Sequence, residues 1–417
     1  MTWRTWYKEH LFTPEQAVQQ IKSGQRVVVA HACGEPSIIL DALVAHAAQY
    51  ENVEIIHMVA MGKAAYCQPQ YDKNFHHNAF FLGGSTRAAA AEGRVDFTPV
   101  YFSEIPGLLR EDLRPNVTLL QCSPPDAHGY VSLGVSVDYT KPAAEASDLV
   151  IAQVNQNMPR TLGDSFLHVT QIGCLVEADT PVIELAPPKI GDVERAIGEN
   201  VASLVRDGDT LQLGIGAIPD AVLLFLKEKN DLGIHTEMFS DGVVELVEAG
   251  VITNKAKTLH RGQSVATFLM GTRRLYDVND PYVIGQNDNL VSINSCVQVD
   301  IMGQVVSTSA GLRQISGVGG QVDFVRGANL SKGGRAIMAM PSTTGKGKIS
   351  KIVPFLDQGS AVTTTRNEVN YVITEYGIAK LKGKSLRQRA EALIRIAHPD
   401  FRDELTAEFR RRYPRDY

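Results

Sequence analysis

The side chain with the clearest chemical potential is Glu237, which stands beside Met238 and Phe239 in a stretch predicted to be a buried β-strand. A carboxylate among apolar neighbours is costly to desolvate unless it is paired or used. The carboxyl ends of strands in open α/β sheets line ligand crevices. Glu237 is therefore either a reactive carboxylate or a structural acid paired with an arginine. His235, which would share its face of the strand, is expected to pack or hydrogen-bond rather than catalyse.

A glycine-containing turn precedes Glu237 by roughly the 20 residues that separate glycine loop and acid in dinucleotide sites. Residues 214–219 read GIGAIP, at the point where a predicted strand gives way to a helix. Glycines let the backbone approach a ligand closely, and a helix N-terminus favours anions. Because Pro219 replaces the third glycine of the dinucleotide motif, an oxidoreductase using this turn is an alternative that the sequence disfavours. A tight turn without a ligand is the other interpretation.

A second glycine-rich segment lies at residues 316–324, which read SGVGGQVDF. Its backbone N–H groups suit an anion or an oxyanion, although a surface turn would also explain it. The basic loops at residues 332–335 and 345–348 do not match a P-loop. His76 and His77 are adjacent rather than one helical turn apart, and HExxH is absent, so no metal site is expected.

The composition is that of an ordinary globular protein. The chain has 417 residues, of which 44% are hydrophobic and 21% charged, with a formal net charge of −5. These values exclude a disordered or fibrous chain and argue against nucleic acid as a partner. Five scattered cysteines without a CxxC pair argue against a disulfide framework and favour a reducing compartment. Since no apolar run approaches the ~20 residues of a membrane span, and the N-terminus lacks a signal-peptide core, a soluble cytoplasmic enzyme or binding protein without a membrane partner is expected.

Strand-like and helix-like patterns alternate along the chain, which predicts parallel sheets covered by helices. Helices are predicted to begin after Thr13 and Ser385, because each is followed three residues later by a glutamine that can complete a capping box. Strands are predicted at residues 27–29, 53–59, 117–120, 149–154 and 182–185.

Two segments repeat one α/β pattern. Residues 21–43 and 204–226 each carry a glycine, a strand, a small-residue turn, a proline and an apolar helix, and a second strand follows each of them. In this alignment His57 stands where the second copy has Glu237, so we expect the second copy to hold the reactive site. Chance similarity of two ordinary α/β units is the alternative.

The break between the copies is predicted where prolines follow an apolar stretch. This gives an N-terminal domain of residues 1–186 and a C-terminal domain of residues 187–417, the latter carrying Glu237.

Taken together, these motifs resemble the acetyl-CoA hydrolase/transferase family of class I CoA-transferases. The likeness is strongest to the butyryl-CoA and 4-hydroxybutyrate CoA-transferases, a branch that includes itaconate CoA-transferases, and it covers nearly the whole chain. The segments that carry it read FLGGSTR at 81–87, GRVDFTP at 93–99, SPPDAHG at 123–129, NQNMPRTLG at 155–163, GIGAIPDAV at 214–222, HTEMFSDGVVELVEAGVI at 235–252, SGVGGQVDF at 316–324 and TEYGIAKLKG at 374–383.

The resemblance implies an α/β fold of two similar open domains related by duplication, with the active site between them. It also implies a homodimer or larger homo-oligomer, acyl-CoA and small carboxylic acids as partners, and coenzyme A as a substrate rather than a tightly bound cofactor. Glu237 matches the catalytic glutamate, and Gly317, Gly319 and Gly320 match a loop that supports the thioester oxyanion. The positions matching CoA contacts are Gly214, Ile215, Gly216, Ala217, Ile218, Leu312 and Gly334.

The implied reaction is transfer of CoA between short-chain acids of the butyrate, 4-hydroxybutyrate or itaconate type. It would follow a ping-pong mechanism through a glutamyl-CoA thioester on Glu237. An acyl-CoA hydrolase on the same fold, with water in place of the acceptor acid, is the first alternative, and a non-catalytic CoA sensor is another. The sequence leaves the identity of the acyl group open.

Overall fold

The chain is described by a computed structural model over residues 2–186, 188–271 and 288–414, and it divides into two compact units. The first comprises Met1–Leu185 together with residues 266–271, and the second comprises Ala186–Val265 together with residues 288–414. The first unit thus takes in a short segment that lies beyond the predicted domain break.

The main sheet of the first unit is parallel and has seven strands in the order β4-β3-β2-β1-β5-β7-β9, while β6 and β8 form an antiparallel pair. These strands, in chain order, are β1 (Arg26–Val29), β2 (Val53–His57), β3 (Phe75–Ala79), β4 (Val95–Phe97), β5 (Val117–Cys122), β6 (Tyr130–Ser132), β7 (Leu149–Asn155), β8 (Phe166–His168) and β9 (Cys174–Ala178).

Helices cover this sheet and bury aliphatic side chains against it. The predicted capping box at Thr13 is present, because its hydroxyl accepts from the N–H of Gln16 while the Gln16 side chain accepts from the N–H of Thr13. The α-helices are α1 (Trp3–Glu9), α2 (Pro14–Val18), α3 (Ser37–Ala45), α4 (Arg87–Ala91), α5 (Ile105–Arg110) and α6 (Thr140–Ala146).

The second unit is built on a six-stranded sheet in the order β11-β10-β14-β19-β23-β24, parallel except for β24. The strand β13 belongs to the first unit and is numbered here in chain order. The strands are β10 (Thr210–Leu213), β11 (Gly233–Ile234), β12 (Met238–Phe239), β13 (Phe268–Leu269), β14 (Leu290–Ser295), β15 (Gln298–Asp300), β16 (Val305–Val306), β17 (Ser309–Ala310), β18 (Arg313–Gln314), β19 (Arg335–Ala339), β20 (Thr343–Thr344), β21 (Ile349–Ser350), β22 (Ile352–Val353), β23 (Tyr371–Thr374) and β24 (Gly377–Lys380).

Six described helices accompany this sheet, and the predicted capping box of Ser385 with Gln388 starts one of them. The last three of them pack apolar side chains into a core that includes residues of β14, β19 and β23. They are α7 (Asp192–Ala202), α8 (Ala217–Leu224), α9 (Asp241–Glu248), α10 (Gln321–Leu330), α11 (Leu386–Arg395) and α12 (Arg402–Arg412).

The predicted repeat corresponds to the same topology in both units. In each, a strand, a turn and a helix lead to a second strand that pairs in parallel with the first: β1–α3–β2 and β10–α8–β11. The fold prediction of two similar α/β units is confirmed.

Two details of the predicted elements are wrong. Residues 182–185 form no strand, because β9 ends at Ala178 and Pro181 follows. The alignment of His57 with Glu237 is also wrong. The glycines before each first strand, Gly24 and Gly208, share a left-handed backbone. Arg26 and Thr210 each lie two residues after these glycines, so they correspond. Their partners on the second strands, Glu54 and Gly233, therefore correspond too, and His57 corresponds to Thr236.

Candidate active site

Glu237 lies at a bend between β11 and β12, just past the carboxyl end of the short strand β11. Its side chain is half-buried, between the buried residues Thr236 and Met238. The backbone N–H of Gly320 donates a hydrogen bond to the Glu237 Oε2 atom at 2.8 Å. The structure therefore brings the candidate nucleophile together with the predicted oxyanion loop.

The glycines of that loop leave the space that the Glu237 carboxylate occupies. A Cβ atom on Gly320 would stand 2.3 Å from Glu237 Oε2, and one on Gly319 would stand 3.4 Å from Oε1. Gly320 is also the N-cap of α10, so the carboxylate sits at the positive end of a helix. The loop glycines Gly317, Gly319 and Gly320 are all buried.

The turn between β10 and α8 is open. Ile215 and Gly216 are exposed, and Gly214 and Ala217 are half-exposed. Gly216 caps α8 with φ at +111°, a conformation that side-chain-bearing residues rarely adopt. Because Gly216 has no side chain, it does not cap the first turn of α8, where Ala217 and Ile218 carry backbone N–H groups and Pro219 carries none.

A buried amide network supports this turn from below. The Gln212 Oε1 atom accepts from Ser292 Oγ at 2.9 Å and from Asn294 Nδ2 at 3.0 Å. These residues lie near the carboxyl ends of β10 and β14. Buried polar groups joined in this way fix the strand ends that carry the turn.

Two of the predicted CoA contacts lie apart from the turn. Leu312 is 91% exposed at the tip of the β17–β18 hairpin, where Gly359 makes room for its side chain. Gly334 precedes β19, at the amino-terminal edge of the sheet, whereas the turn follows the carboxyl end of β10. A Cβ atom there would lie 2.1 Å from the Ala328 carbonyl, so tight packing accounts for this glycine.

Sequence reasoning did not single out the residues that hold Glu237 in place. The Thr236 hydroxyl bonds to the backbone of Leu213 and of Met238. Lys257 is buried, and its Nζ donates to the carbonyls of Ile234 and Gln263, each at 2.7 Å. The only available signal was an ordinary polar residue next to the glutamate and a lysine in a loop.

A second polar pair ties α8 to the segment after Glu237. Ser240 Oγ donates to Asp220 Oδ1 at 2.8 Å, and burial raises the pKa of Asp220.

Burial lowers the pKa of Lys257 to about 8. His235 is fully buried, and its ring lies 6.4 Å from that of His260, in keeping with a packing role.

The described residues contain no cluster of three or more His, Cys, Asp or Glu side chains that could hold a metal ion. Within the same ranges no helix is long and apolar enough to cross a membrane. All five cysteines are free and buried, and burial raises the pKa of Cys33 to about 12, so its thiol is protonated at neutral pH.

Comparison with known proteins gives consistent matches along the chain. The family model for the acetyl-CoA hydrolase/transferase N-terminal domain matches residues 1–187, and the model for the C-terminal domain matches residues 265–409. A 4-hydroxybutyrate coenzyme A transferase of Clostridium kluyveri is 62% identical, over 99% of this chain and all of the relative.

Two further relatives agree with this match. A succinyl-CoA:cyclohexane-1-carboxylate CoA transferase of Geobacter metallireducens is 43% identical, over 97% of this chain and 96% of the relative. The crystal structure of a 4-hydroxybutyrate CoA-transferase from Porphyromonas gingivalis superposes with a TM-score of 0.85 at 42% identity, covering 99% of this chain and all of that one.

Proposed function

Because the chain belongs to the acetyl-CoA hydrolase/transferase family and is a CoA-transferase, we propose that it moves CoA between carboxylic acids through a covalent thioester on Glu237. The observation that carries this proposal is the Gly320 N–H on the half-buried Glu237 carboxylate. A carboxylate held by a backbone donor, with no room for a side chain at that donor, is a preorganised nucleophile.

In the first half-reaction, the Glu237 carboxylate attacks the thioester carbonyl of an acyl-CoA and expels CoA as a thiolate. The product is a mixed anhydride between Glu237 and the donor acid. The thiolate then attacks the Glu237 carbonyl, so a new C–S bond forms and the donor acid leaves as a carboxylate. The enzyme is left as a glutamyl-CoA thioester.

In the second half-reaction, an acceptor carboxylate attacks the glutamyl thioester and the same two steps run in reverse. Each addition at the Glu237 carbonyl places negative charge on an oxygen that the Gly320 N–H can hold. One such donor is worth about 3 kcal/mol of transition-state stabilisation. The N-terminal end of α10 adds a favourable dipole at the same position.

We propose that the turn formed by Gly214, Ile215, Gly216, Ala217 and Ile218 binds CoA. Its exposed backbone and the left-handed Gly216 support a close approach of a phosphorylated ligand. Leu312 fits an outer, apolar contact of the same ligand because of its exposure. Gly334 is left out of the proposed site, since backbone packing explains it.

The acids that exchange CoA are proposed to be short-chain, with 4-hydroxybutyrate first because a 62% identical relative carries that name. Butyrate and itaconate are the next candidates. A panel of these acceptors with acetyl-CoA as donor should give acyl-CoA products only when an acceptor is present. Release of free CoA thiol at the same rate without an acceptor would instead establish the hydrolase alternative.

We also propose that the protein acts in the cytoplasm as a homodimer or larger homo-oligomer. Five free, buried cysteines fit a reducing compartment. Light scattering coupled to size exclusion should give at least twice the 45.5 kDa chain mass, and a monomer peak would contradict the assembly.

A further inference from the structure

The backbone around Glu237 is weakly held by the main sheet. The parallel pairing of β10 with β11 stops after Ile234, and the next strand, β12, begins only at Met238. Glu237 thus sits in the gap between two strands of two residues each. Something other than the main ladder must fix its main chain if the carboxylate is to be positioned within a fraction of an ångström.

The Thr236 hydroxyl connects this gap to the end of β10 and to the start of β12. Its hydroxyl oxygen accepts the N–H of Leu213 at 3.2 Å, and its hydroxyl hydrogen can reach the carbonyl of Leu213 at 3.1 Å or that of Met238 at 3.0 Å. Leu213 ends β10 and immediately precedes the glycine turn, and Met238 immediately follows Glu237. One hydroxyl therefore joins the start of the turn to both neighbours of the candidate nucleophile.

The chemistry of the side chain suits this position. Threonine is branched at Cβ, so its χ1 angle is restricted and the hydroxyl is held in one direction. The side chain is 1% exposed, and the partners are all main-chain groups of its own unit. The backbone N–H of Thr236 adds a bond to the carbonyl of Val265 at 2.9 Å.

The carboxylate end of Glu237 is fixed separately, by the Gly320 N–H. The turn itself does not depend on Thr236, because β10 pairs along its length with β14 and the Gly214 N–H donates to Ile293. Loss of the hydroxyl should therefore free the Glu237 main chain while leaving the turn in place.

We propose that Thr236 is a positioning residue, whose hydroxyl fixes the Glu237 main chain relative to the end of β10 and the turn that follows. This inference rests on the proposed role of Glu237. It predicts a loss in the rate of covalent chemistry without a matching loss of acyl-CoA binding.

The test compares Thr236→Val, Thr236→Ala and Thr236→Ser in rapid-quench measurement of glutamyl-CoA formation from acetyl-CoA, with KM and melting temperature measured in parallel. Valine and alanine remove the hydroxyl, and alanine carries the test if valine does not fold. Both should slow adduct formation by about 10- to 100-fold. Serine keeps the hydroxyl and should stay within about threefold of wild type, and KM for acetyl-CoA should change by less than about threefold in every variant.

Thr210→Val is the matched control. Thr210 lies on β10, the strand that pairs with β11, and is 1% exposed, and its Oγ1 atom has no hydrogen-bond partner within the part of the chain that the structure describes. The same substitution there should leave adduct formation within about twofold, because no bond is lost.

Three results would overturn the proposal: adduct formation within threefold of wild type in Thr236→Val or Thr236→Ala, an equal loss in Thr236→Ser, or a raised KM with an unchanged adduct rate. Glu237→Gln, run in the same assay, distinguishes failure of the proposed nucleophile from failure of the positioning role of Thr236. Adduct formation or transfer by Glu237→Gln would refute the proposed nucleophile itself, whereas a silent Thr236→Val with an inactive Glu237→Gln would refute only the positioning role.

Discussion

The strand–turn–helix segments of the two units share a topology but differ in how far the residues of the turn are exposed. In the first unit every residue from 31 to 36 is buried, whereas in the second Ile215 and Gly216 are exposed. The difference begins with amide side chains on neighbouring strands. In the first unit these side chains hydrogen-bond to the backbone of the turn and of the helix that follows. In the second unit they hydrogen-bond to one another beneath the turn.

The first-unit turn is closed by two glutamine side chains. Gln121 Nε2 donates to the carbonyl of Glu35 at 3.0 Å, and the N–H of Ile38, in the first turn of α3, donates to Gln153 Oε1 at 3.1 Å. A backbone N–H that is bonded within the protein is not available to a ligand. In the second unit Gln212 bonds to Ser292 and Asn294 instead, and no side chain of the described residues caps α8.

Each unit also holds a glutamate against a glycine backbone. Glu35 Oε2 accepts from the N–H groups of Met61 and Gly62 at 3.1 and 3.0 Å, and Glu237 Oε2 accepts from Gly320. Glu35 is only 3% exposed, and burial raises its pKa, while Glu237 is half-buried. The two carboxylates therefore differ in access: Glu35 is enclosed, whereas Glu237 is partly open, as the proposed nucleophile must be.

The largest difference between the two units is expected when the same methyl group is added to the glycine beside each glutamate. Gly320 has φ at −86°, which alanine adopts freely, and the three atoms nearest to an added Cβ all belong to Glu237, with Oε2 at 2.3 Å. Displacing the nucleophile and weakening its donor should lower kcat/KM by about 1,000-fold, measured by acyl-CoA exchange.

Gly62→Ala is the counterpart in the first unit, where the new Cβ would lie 2.2 Å from Glu35 Oε1. It should lower the melting temperature while the folded enzyme keeps its activity within about threefold. Equal losses of activity in the two variants would show that the two glutamates do not differ in function.

A second prediction concerns the stability of the fold at acid pH, because buried histidines are concentrated in the first unit. His77 is 2% exposed with Nδ1 on the Ile55 carbonyl, and burial lowers its pKa to about 4 from an ordinary value of 6.5. The unfolded chain therefore binds more protons between these values, and the free energy of unfolding should fall as the pH drops from 6.5 to 4. The contribution of His77 is about 3 kcal/mol.

Urea unfolding across this pH range measures the slope. His77→Asn, whose amide can still donate to Ile55, should lose that part of the slope, since asparagine does not titrate there. An unchanged slope in the variant would contradict the assignment to His77.

The smallest expected effect is on the open turn itself. Gly216→Ala meets no atom within 4 Å but forces a side chain to φ +111°, so the backbone should shift where CoA is proposed to bind. The dissociation constant for CoA, measured by calorimetry, should rise about tenfold, with a loss of stability of about 1 kcal/mol.

Gly24→Ala is matched to this change, because Gly24 has φ at +75° and also has no atom within 4 Å of an added Cβ. It should cost similar stability and leave CoA affinity unchanged. If both variants bind CoA as tightly as the wild type, the turn is not part of the binding site.

Much of the fold followed from local patterns, because strand and helix periodicity and the Thr13 and Ser385 caps depend on near neighbours in sequence. The apolar stretch 182–185 was predicted wrongly, since it is only partly buried and pairs with no strand. The correspondence of His57 was wrong because pairing register depends on which residues of two strands meet in space, and the alignment of two short segments missed a shift of one residue.

The candidate site was less predictable. Glu237 and the glycine turn were found from their types and spacing, but the contacts of Thr236 and Lys257 join residues that are adjacent only in the folded chain. The sequence alone does not distinguish Thr236 from any other threonine in a predicted strand.

Mass spectrometry of the quenched enzyme tests most directly whether Glu237 carries CoA covalently. After brief exposure to acetyl-CoA without an acceptor, acid quench and proteolysis, the peptide containing Glu237 should gain the mass of CoA less one water, and the same peptide of Glu237→Gln should not. Addition of an acceptor acid before the quench should remove the label. A CoA adduct on a serine or cysteine peptide, or full turnover with no adduct at any time point, would contradict the account.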